Sequence, residues 1–538
     1  MKIKLLSLCL AGMMVAGTVG CALNEAGQTV SETAVAAEAI EGVETRKEQI
    51  AEKVESTVSD EIAPAEELED ITEVNILLWQ AGCVIDEAKA VEDAVNEITE
   101  SKIGVHVNIE NISVAEYPTY FGLKMAGGEP VDLAIAIPMG AVSFQQMYAN
   151  NQLKDITDLA NEYAPDIVEM MGDYLDACRV NDRLYGIPSF RDYGQSIYLY
   201  MRKDILEDLG MVEMAENATS WSEIEEIFAA VRDNTDLAPI LGSAGSLGGS
   251  APGAVLYGDK FSEGYSYDSI GDTNRIIYVD DNGIVSLLPE HDGYRYYLDR
   301  VRSWRDQGFM YKDDIISNES SDVLIRDNVG FAAMQPCEYG ALTIKQSETG
   351  YDLVMLDVLD LMLSSANVNK LSTVVPITSE EPEAALKFLN EMYTNPEVEN
   401  LLMWGIEGTH YQVVDGEATY LEGKDINNCG YHYRDFIWGN NFNAYPWNGS
   451  GKTFREETFT DLQNYAVSPF LGFISDFSGM ENILTAQASV LEQYSRDIQL
   501  GNYTDEYYEK YVSAVKAADS DAYIEALQKQ LDAWTGNN

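Results

Sequence analysis

Histidine is nearly absent from this chain, and cysteine and positive charge are scarce. Among 538 residues there are four histidines, His106, His291, His410 and His432, and none stands at the H-E-x-x-H spacing of a helix-borne metal site. The six cysteines form no C-x-x-C pair, so a structural zinc or a thioredoxin-like centre has no support. Cys9 and Cys21 lie at the N-terminus, and Cys83, Cys178, Cys337 and Cys429 are too scattered for a disulfide scaffold; spacing leaves their pairing open. Lysine and arginine number 34 against 90 aspartates and glutamates, a formal net charge of -56. A field of that sign repels phosphate backbones and anionic head groups, so no nucleic-acid partner is expected, and most of the acids read as solvated surface. No aromatic residue precedes Trp79.

The N-terminal part is a different material. Lys2 and Lys4 precede an apolar run from Leu5 to about Gly17, too short to span a bilayer and suited to a secretory signal. It ends in "TVGC", which resembles the bacterial lipobox, with Thr18 where that pattern usually has Leu. The resemblance implies a signal peptide over 1–20, a lipid on Cys21, and attachment to the outer face of the cytoplasmic membrane through that anchor only. An ordinary cleaved signal peptide is the alternative. From Ala22 to Asp70 fourteen acidic residues accompany three basic ones. Such a segment buries too little surface to offset its ordering entropy, so 21–70 reads as an acidic tether, with a transient helix near Glu44–Val58.

Beyond the tether the chain turns to ordinary globular material, and the whole sequence is 46% hydrophobic. "EVNILLW" (73–79) reads as a buried parallel strand. Ala88, Val91, Val95 and Ile98 share a helical face, "VHVNIE" alternates as a strand, a helix runs through Tyr120 to Gly127-Gly128, and "VDLAIAI" (131–137) is a further strand. This β-α-β-α-β order predicts an open α/β sheet, whose ligands bind beyond the carboxyl ends of the strands, here at Trp79-Gln80 and Pro138-Met139. Later come a helix capped at Thr219 or Ser220, a hairpin turning at Asn282-Gly283, a helix from Tyr294 to Gln307, and a strand over Val329–Met334. "STVVPI" is another strand, Pro382 starts a helix, and two or three helices close the chain. Between the short Gly-Ile-Pro break at 186–188 and the strand Ile197–Met201 stand seven polar-rich residues, Ser189–Gln195, longer and more polar than a plain turn needs.

The phrases "VNDRLYGIP", "VGFAAM", "VVPITSEEPEAALKFLNEMYTNPEVENLL", "GIEGTHYQV" and "ALQKQLDAW", in that order from about Ile71 to Trp534, resemble extracellular solute-binding proteins of ABC importers. Within that family the likeness is to the carbohydrate-type lipoproteins with a helical C-terminal region of unassigned function. The resemblance implies an α/β, two-lobed periplasmic-binding-protein-like fold of class II, with 71–190 and 366–415 in lobe 1 and 191–365 and 416–538 in lobe 2. It implies a ligand gripped in the cleft, Ser189–Gln195 as the first crossing, and Gly186 and Gly194 as candidate hinge positions. The expected partners are a carbohydrate, an oligosaccharide by preference, and the transmembrane permease subunits of an ABC transporter; the receptor is expected to be a monomer without metal or other cofactor.

A sugar presents C–H faces to aromatic rings and hydroxyls to carboxylates, amides and guanidinium groups. Trp79 and Gln80, then Arg191, Asp192 and Tyr193 in the crossing, then Gln335 and Glu338 after "VGFAAM", and Trp404 and Glu407 beside His410, fit this chemistry. The stretch Tyr431–Gly449 holds seven aromatic residues among Asn and Gly, and Trp447 in its Pro-Trp-Asn-Gly turn is the ligand candidate there. Trp221, Trp304 and Trp534 are assigned to packing. No catalytic residue is expected: Ala244 spoils a nucleophile elbow at Ser246. Two alternatives stay open: a secreted carbohydrate-cleaving enzyme whose carboxylate pair is defined only in space, and the same receptor fold taking a peptide or other small solute.

Overall fold

The computed structural model describes residues 71–242, 251–261, 267–272 and 274–536. The signal segment, Cys21, the tether and the Ser246 loop lie outside the described residues.

The first strand, β1 (Thr72–Gln80), buries four consecutive side chains from Ile76 to Trp79, the pattern of a strand covered on both faces. Helix α1 (Ala88–Ile103) turns Val91 and Val95 inward and stops at Gly104, whose φ of 68° lets its N–H reach back to the Thr99 and Glu100 carbonyls. Buried Asn96 fastens this helix to β2 (Val105–Ser113): its amide donates to the Val107 carbonyl at 2.9 Å and its oxygen accepts from the Val107 N–H at 2.7 Å. Helix α2 (Tyr117–Gly127) and β3 (Leu133–Ala136) complete the opening run, with β1 parallel to β2 and to β3.

Strand β4 (Ile187–Pro188) then leads across to β5 (Ser196–Arg202), the centre of a second, antiparallel sheet. Helices α3 (Trp221–Asn234), capped by the Ser220 hydroxyl, and α4 (Asp292–Asp306) cover that sheet. Its edges are β6 (Ala332–Cys337) and β7 (Leu353–Asp360). The strand expected over 329–334 is shifted three residues, because Gly330 lies against Leu241 and bridges Ala238; the shift takes Pro336 into an edge strand, where a missing N–H is tolerated. The chain returns as β8 (Ser372–Val374), antiparallel between β3 and β4, giving the order β2-β1-β3-β8-β4. Helices α5 (Pro382–Thr394) and α6 (Pro396–Trp404) back that sheet.

Each sheet has its own core, one around Ile76, Ile135 and Phe388, the other around Leu199, Phe228 and Trp304. A third core binds the hairpin at 277–287 to α8 (Glu481–Gln499), α9 (Asp505–Ala517) and α10 (Ser520–Thr535) through Tyr523, Leu527 and Leu531. The family resemblance assigns residues from 416 onward to the second lobe, but Ala418, Tyr431, Tyr433, Trp438 and Tyr465 pack in the first core. The reason is pairing: His432 bridges Val84, and the Tyr433 hydroxyl donates to the Trp79 carbonyl. Only at Phe470 and Phe473 does the chain enter the third core.

Three segments pass between the lobes and are laced together by backbone. The Ser189 N–H donates to the Leu371 carbonyl and Leu361 to Gln195, each at 2.9 Å; Leu363 donates to Ala466 and Ser468 to Leu363, each at 2.8 Å. Gly194 is crowded: a Cβ there would lie 2.2 Å from the Tyr465 ring. Gly186 is tight too, with Phe144 and Val374 carbons 3.1 Å from where its Cβ would be. Both positions need a small residue for close approach.

Candidate ligand-binding site at the lobe junction

The polar run after β4 is buried, not looped into water. Ser189 is fully buried and its hydroxyl donates to the Phe436 carbonyl at 3.1 Å; the Tyr193 hydroxyl donates to the Ser189 carbonyl at 2.7 Å. Arg191 is 8% exposed and Asp192 9%. The Arg191 Nη1 donates to the Asp192 carbonyl at 2.6 Å and stands 3.9 Å from the Glu338 carboxylate across the junction. Asp192 Oδ1 accepts the Gly194 N–H at 2.8 Å. Two buried atoms are left without a hydrogen-bond partner, Arg191 Nε and Asp192 Oδ2. Unpaired buried polarity of this kind costs free energy unless something answers it.

The electrostatics follow from that burial. Desolvation pushes the Asp192 carboxyl up to about 7, with Glu338 and Asp461 pressing the same way against the Gly194 N–H and the Arg191 charge. Lys370, on the second crossing, is held below its ordinary value, first by the protein crowding its ammonium and then by Arg191. Opposite stands α7 (Phe454–Leu462). The Tyr339 hydroxyl, from the loop after β6, donates to Glu457 on α7 at 3.1 Å, and Gly340 fits under the Phe454 ring. A groove of about 460 Å³ runs between Tyr339 and the helix, lined by Thr453, Glu457, Thr460, Asp461 and Asn464. Tyr465, just past α7, shares a 3.1 Å hydrogen bond with Ser196 at the start of β5.

Arg191, Asp192, Tyr193 and Glu338 are thus brought together. The remaining candidates are placed otherwise. Trp79 is buried at the end of β1 with its Nε1 unpartnered, and Gln80 beside it is half-buried. Gln335 points into the second lobe, its amide 3.4 Å from Asp322, which also holds Tyr200 and Lys345. Trp404 is buried, donating from Nε1 to the Tyr445 carbonyl at 3.1 Å, and its ring lies 4.9 Å from that of half-buried Trp447. His432 and Tyr420 complete that aromatic knot at 4.5 and 4.8 Å from Trp447. Glu407 is exposed, and His410 is buried, joined to the Ile406 N–H and to Glu87. Sequence reasoning missed Lys370, Tyr339, Glu457, Asp461 and Tyr465. On a strongly acidic chain, two carboxylates on a short, largely exposed helix look like any solvated face.

Among the described residues no three His, Cys, Asp or Glu side chains are grouped to hold a metal ion, Cys83, Cys178, Cys337 and Cys429 are free thiols, and no helix is long and apolar enough to cross a membrane.

Residues 469–536 match a family described as a domain of unknown function, DUF3502. A carbohydrate ABC transporter substrate-binding protein of Streptococcus pneumoniae serotype 4 is 21% identical over 476 residues, 86% of this chain and 91% of that one. Among solved structures, the N-glycan transport solute-binding protein NgtS of Streptococcus pneumoniae superposes with a TM-score of 0.68 at 18% identity, covering 86% of this chain and 99% of that one. FusA, an ABC-transporter substrate-binding protein of the same species solved with kestose, gives 0.56 at 13% identity over 87% and 100%. The chain has the solute-binding-protein fold. Binding proteins built this way close two lobes about a hinge, and hinges are a few residues at the ends of elements that absorb the backbone change.

Proposed function

We propose that this chain is the substrate-binding lipoprotein of an ABC transporter, which captures an extracellular carbohydrate, an oligosaccharide by preference, between its lobes and delivers it to a membrane permease. One observation carries the binding site: the buried, unpartnered Asp192 Oδ2 and Arg191 Nε belong to adjacent residues of the first crossing. The carboxylate oxygen accepts a sugar hydroxyl and the guanidinium N–H donates to a neighbouring one, so an adjacent pair of ring hydroxyls satisfies both. Tyr193 and Glu338 shape and charge the same wall, and the groove beside Tyr339 and α7 accommodates further sugar units. Trp79, Gln80, Gln335, Trp404, Glu407 and Trp447 are secondary candidates, placed apart from this wall and, for Gln335, Trp404 and Trp447, already engaged within their own lobe.

The lipid on Cys21 and the acidic tether at 21–70 belong to the same proposal, holding a monomeric receptor clear of the membrane. No catalysis is assigned; the relatives are named as binding proteins.

Calorimetric titration against neutral oligosaccharides and against peptides, with the recovered glycan checked by mass spectrometry, tests the reading. Saturable binding of intact glycan is expected. Shortened glycan would mean an enzyme, and tight peptide binding with no sugar response would mean a different solute. Mass spectrometry of the membrane-extracted protein, expected to show a diacylglyceryl-modified Cys21 at the mature N-terminus, tests the anchor.

A further inference from the structure

The charges at the lobe junction narrow the ligand further, an inference that rests on the carbohydrate reading. Glu338 faces Arg191 at 3.9 Å, and Asp192 feels both Glu338 and Asp461. Asp461 lines the groove together with Glu456 and Glu457. At the near end of β7, Asp357 and Asp360 both grip Lys260, which neutralises at most one of them. Arg191 and Lys370 are the cations that face these acids: Lys370 is an exposed residue held below its ordinary value by the protein around its ammonium and by Arg191, and the two are outnumbered by Glu338, Glu456, Glu457 and Asp461. Asp192 itself is nine-tenths buried with one oxygen unanswered, so the acids surround a group that calls for a hydrogen-bond donor.

We propose that this junction selects uncharged glycans and rejects those bearing uronic or sialic acid groups. A ligand carboxylate brought beside Glu338, Glu457 and Asp461 meets like charge that Arg191 and Lys370 offset only in part, a repulsion that solvent moderates in this open groove without removing. A neutral polyol meets acceptors for its hydroxyls and one guanidinium donor. Small neutral groups on the same wall, Thr453, Thr460 and Asn464, suit either kind of sugar and leave the discrimination to the acids.

The test is a glycan array of neutral oligosaccharides, uronic-acid oligomers and sialylated oligosaccharides, followed by calorimetry on matched pairs such as lacto-N-tetraose and its monosialylated form. Neutral members are expected to lead, and acidic counterparts to bind about tenfold weaker or worse. The gap is expected to shrink in Glu457→Gln and in Asp461→Asn, and to shrink as salt is raised. Because the whole chain is acidic, Glu509→Gln with Glu525→Gln on the remote helices serves as a control that keeps the gap. Equal or tighter binding of an acidic glycan, or a gap that closes only in the control, overturns this inference while leaving a carbohydrate receptor. Failure of every glycan to bind removes the carbohydrate reading itself.

Discussion

Residues 431–449 and residues 189–195 both carry groups that suit a sugar, and they use them differently. The longer stretch turns its rings into the first lobe: Trp438 is fully buried, the Tyr431 hydroxyl donates to the Leu402 carbonyl, and Trp447 closes a knot with Trp404, His432 and Tyr420. The shorter stretch, buried almost as deeply, leaves two polar atoms unanswered beside a groove. The face of an aromatic ring is satisfied by any close neighbour, although the Trp438 Nε1 is itself left without a partner; a buried carboxylate oxygen needs a donor, and the described residues provide none.

The sharpest way to test that contrast is to remove one member from each. Trp438→Ala is expected to cost about 3–5 kcal/mol of stability in urea titration, the penalty for a large void in a packed core. Asp192→Asn is expected to leave the melting temperature within a few degrees and to weaken glycan binding by about 10- to 100-fold, the size of a lost hydrogen bond to a charged group. If Trp438→Ala instead kept full stability and lost binding, the roles of the two stretches would be exchanged.

A pH series sharpens it further. Because the ionised Asp192 is the better acceptor for a sugar hydroxyl, affinity should rise as pH climbs through about 7 and flatten in Asp192→Asn. Stability should move the other way. A carboxyl raised in the folded state contributes stability that is complete below its unfolded value near 3.8 and lost as pH passes about 7, so the unliganded wild type should lose ground to Asp192→Asn over that span. Denaturant midpoints at pH 5 and pH 8 measure it. The smallest expected effect is Phe459→Ala: the ring is 37% exposed on α7 against Phe190 and Phe442, so a loss of about 1 kcal/mol is expected, with little change in affinity.

The lobed architecture was legible because its signals are local. The opening strands are continuous apolar runs, α1 keeps Val91 and Val95 on one face, and Pro382 and Gly128 punctuate helices where their backbone chemistry requires. The unusual polarity of 189–195 was legible too, since a plain turn needs no such run. The rest depends on contacts distant in sequence. Nothing near Tyr433 announces that its hydroxyl closes on Trp79, 354 residues earlier, and this is what draws 416–465 into the first lobe. Nor does Asp461 differ locally from dozens of surface acids. Gln335 shows the reverse case, a residue beside the right strand whose amide is drawn inward by Asp322.

The lacing of the three crossings has a mechanical consequence. Two bodies joined at one point can swivel and slip in any direction, but a row of shared backbone bonds from Ser189 through Leu363 to Ser468 acts as several pins on one axle. Those bonds leave the lobes one easy direction of turn, so if the proposed receptor closes on its guest, it is expected to do so by the same swing for short and long guests alike.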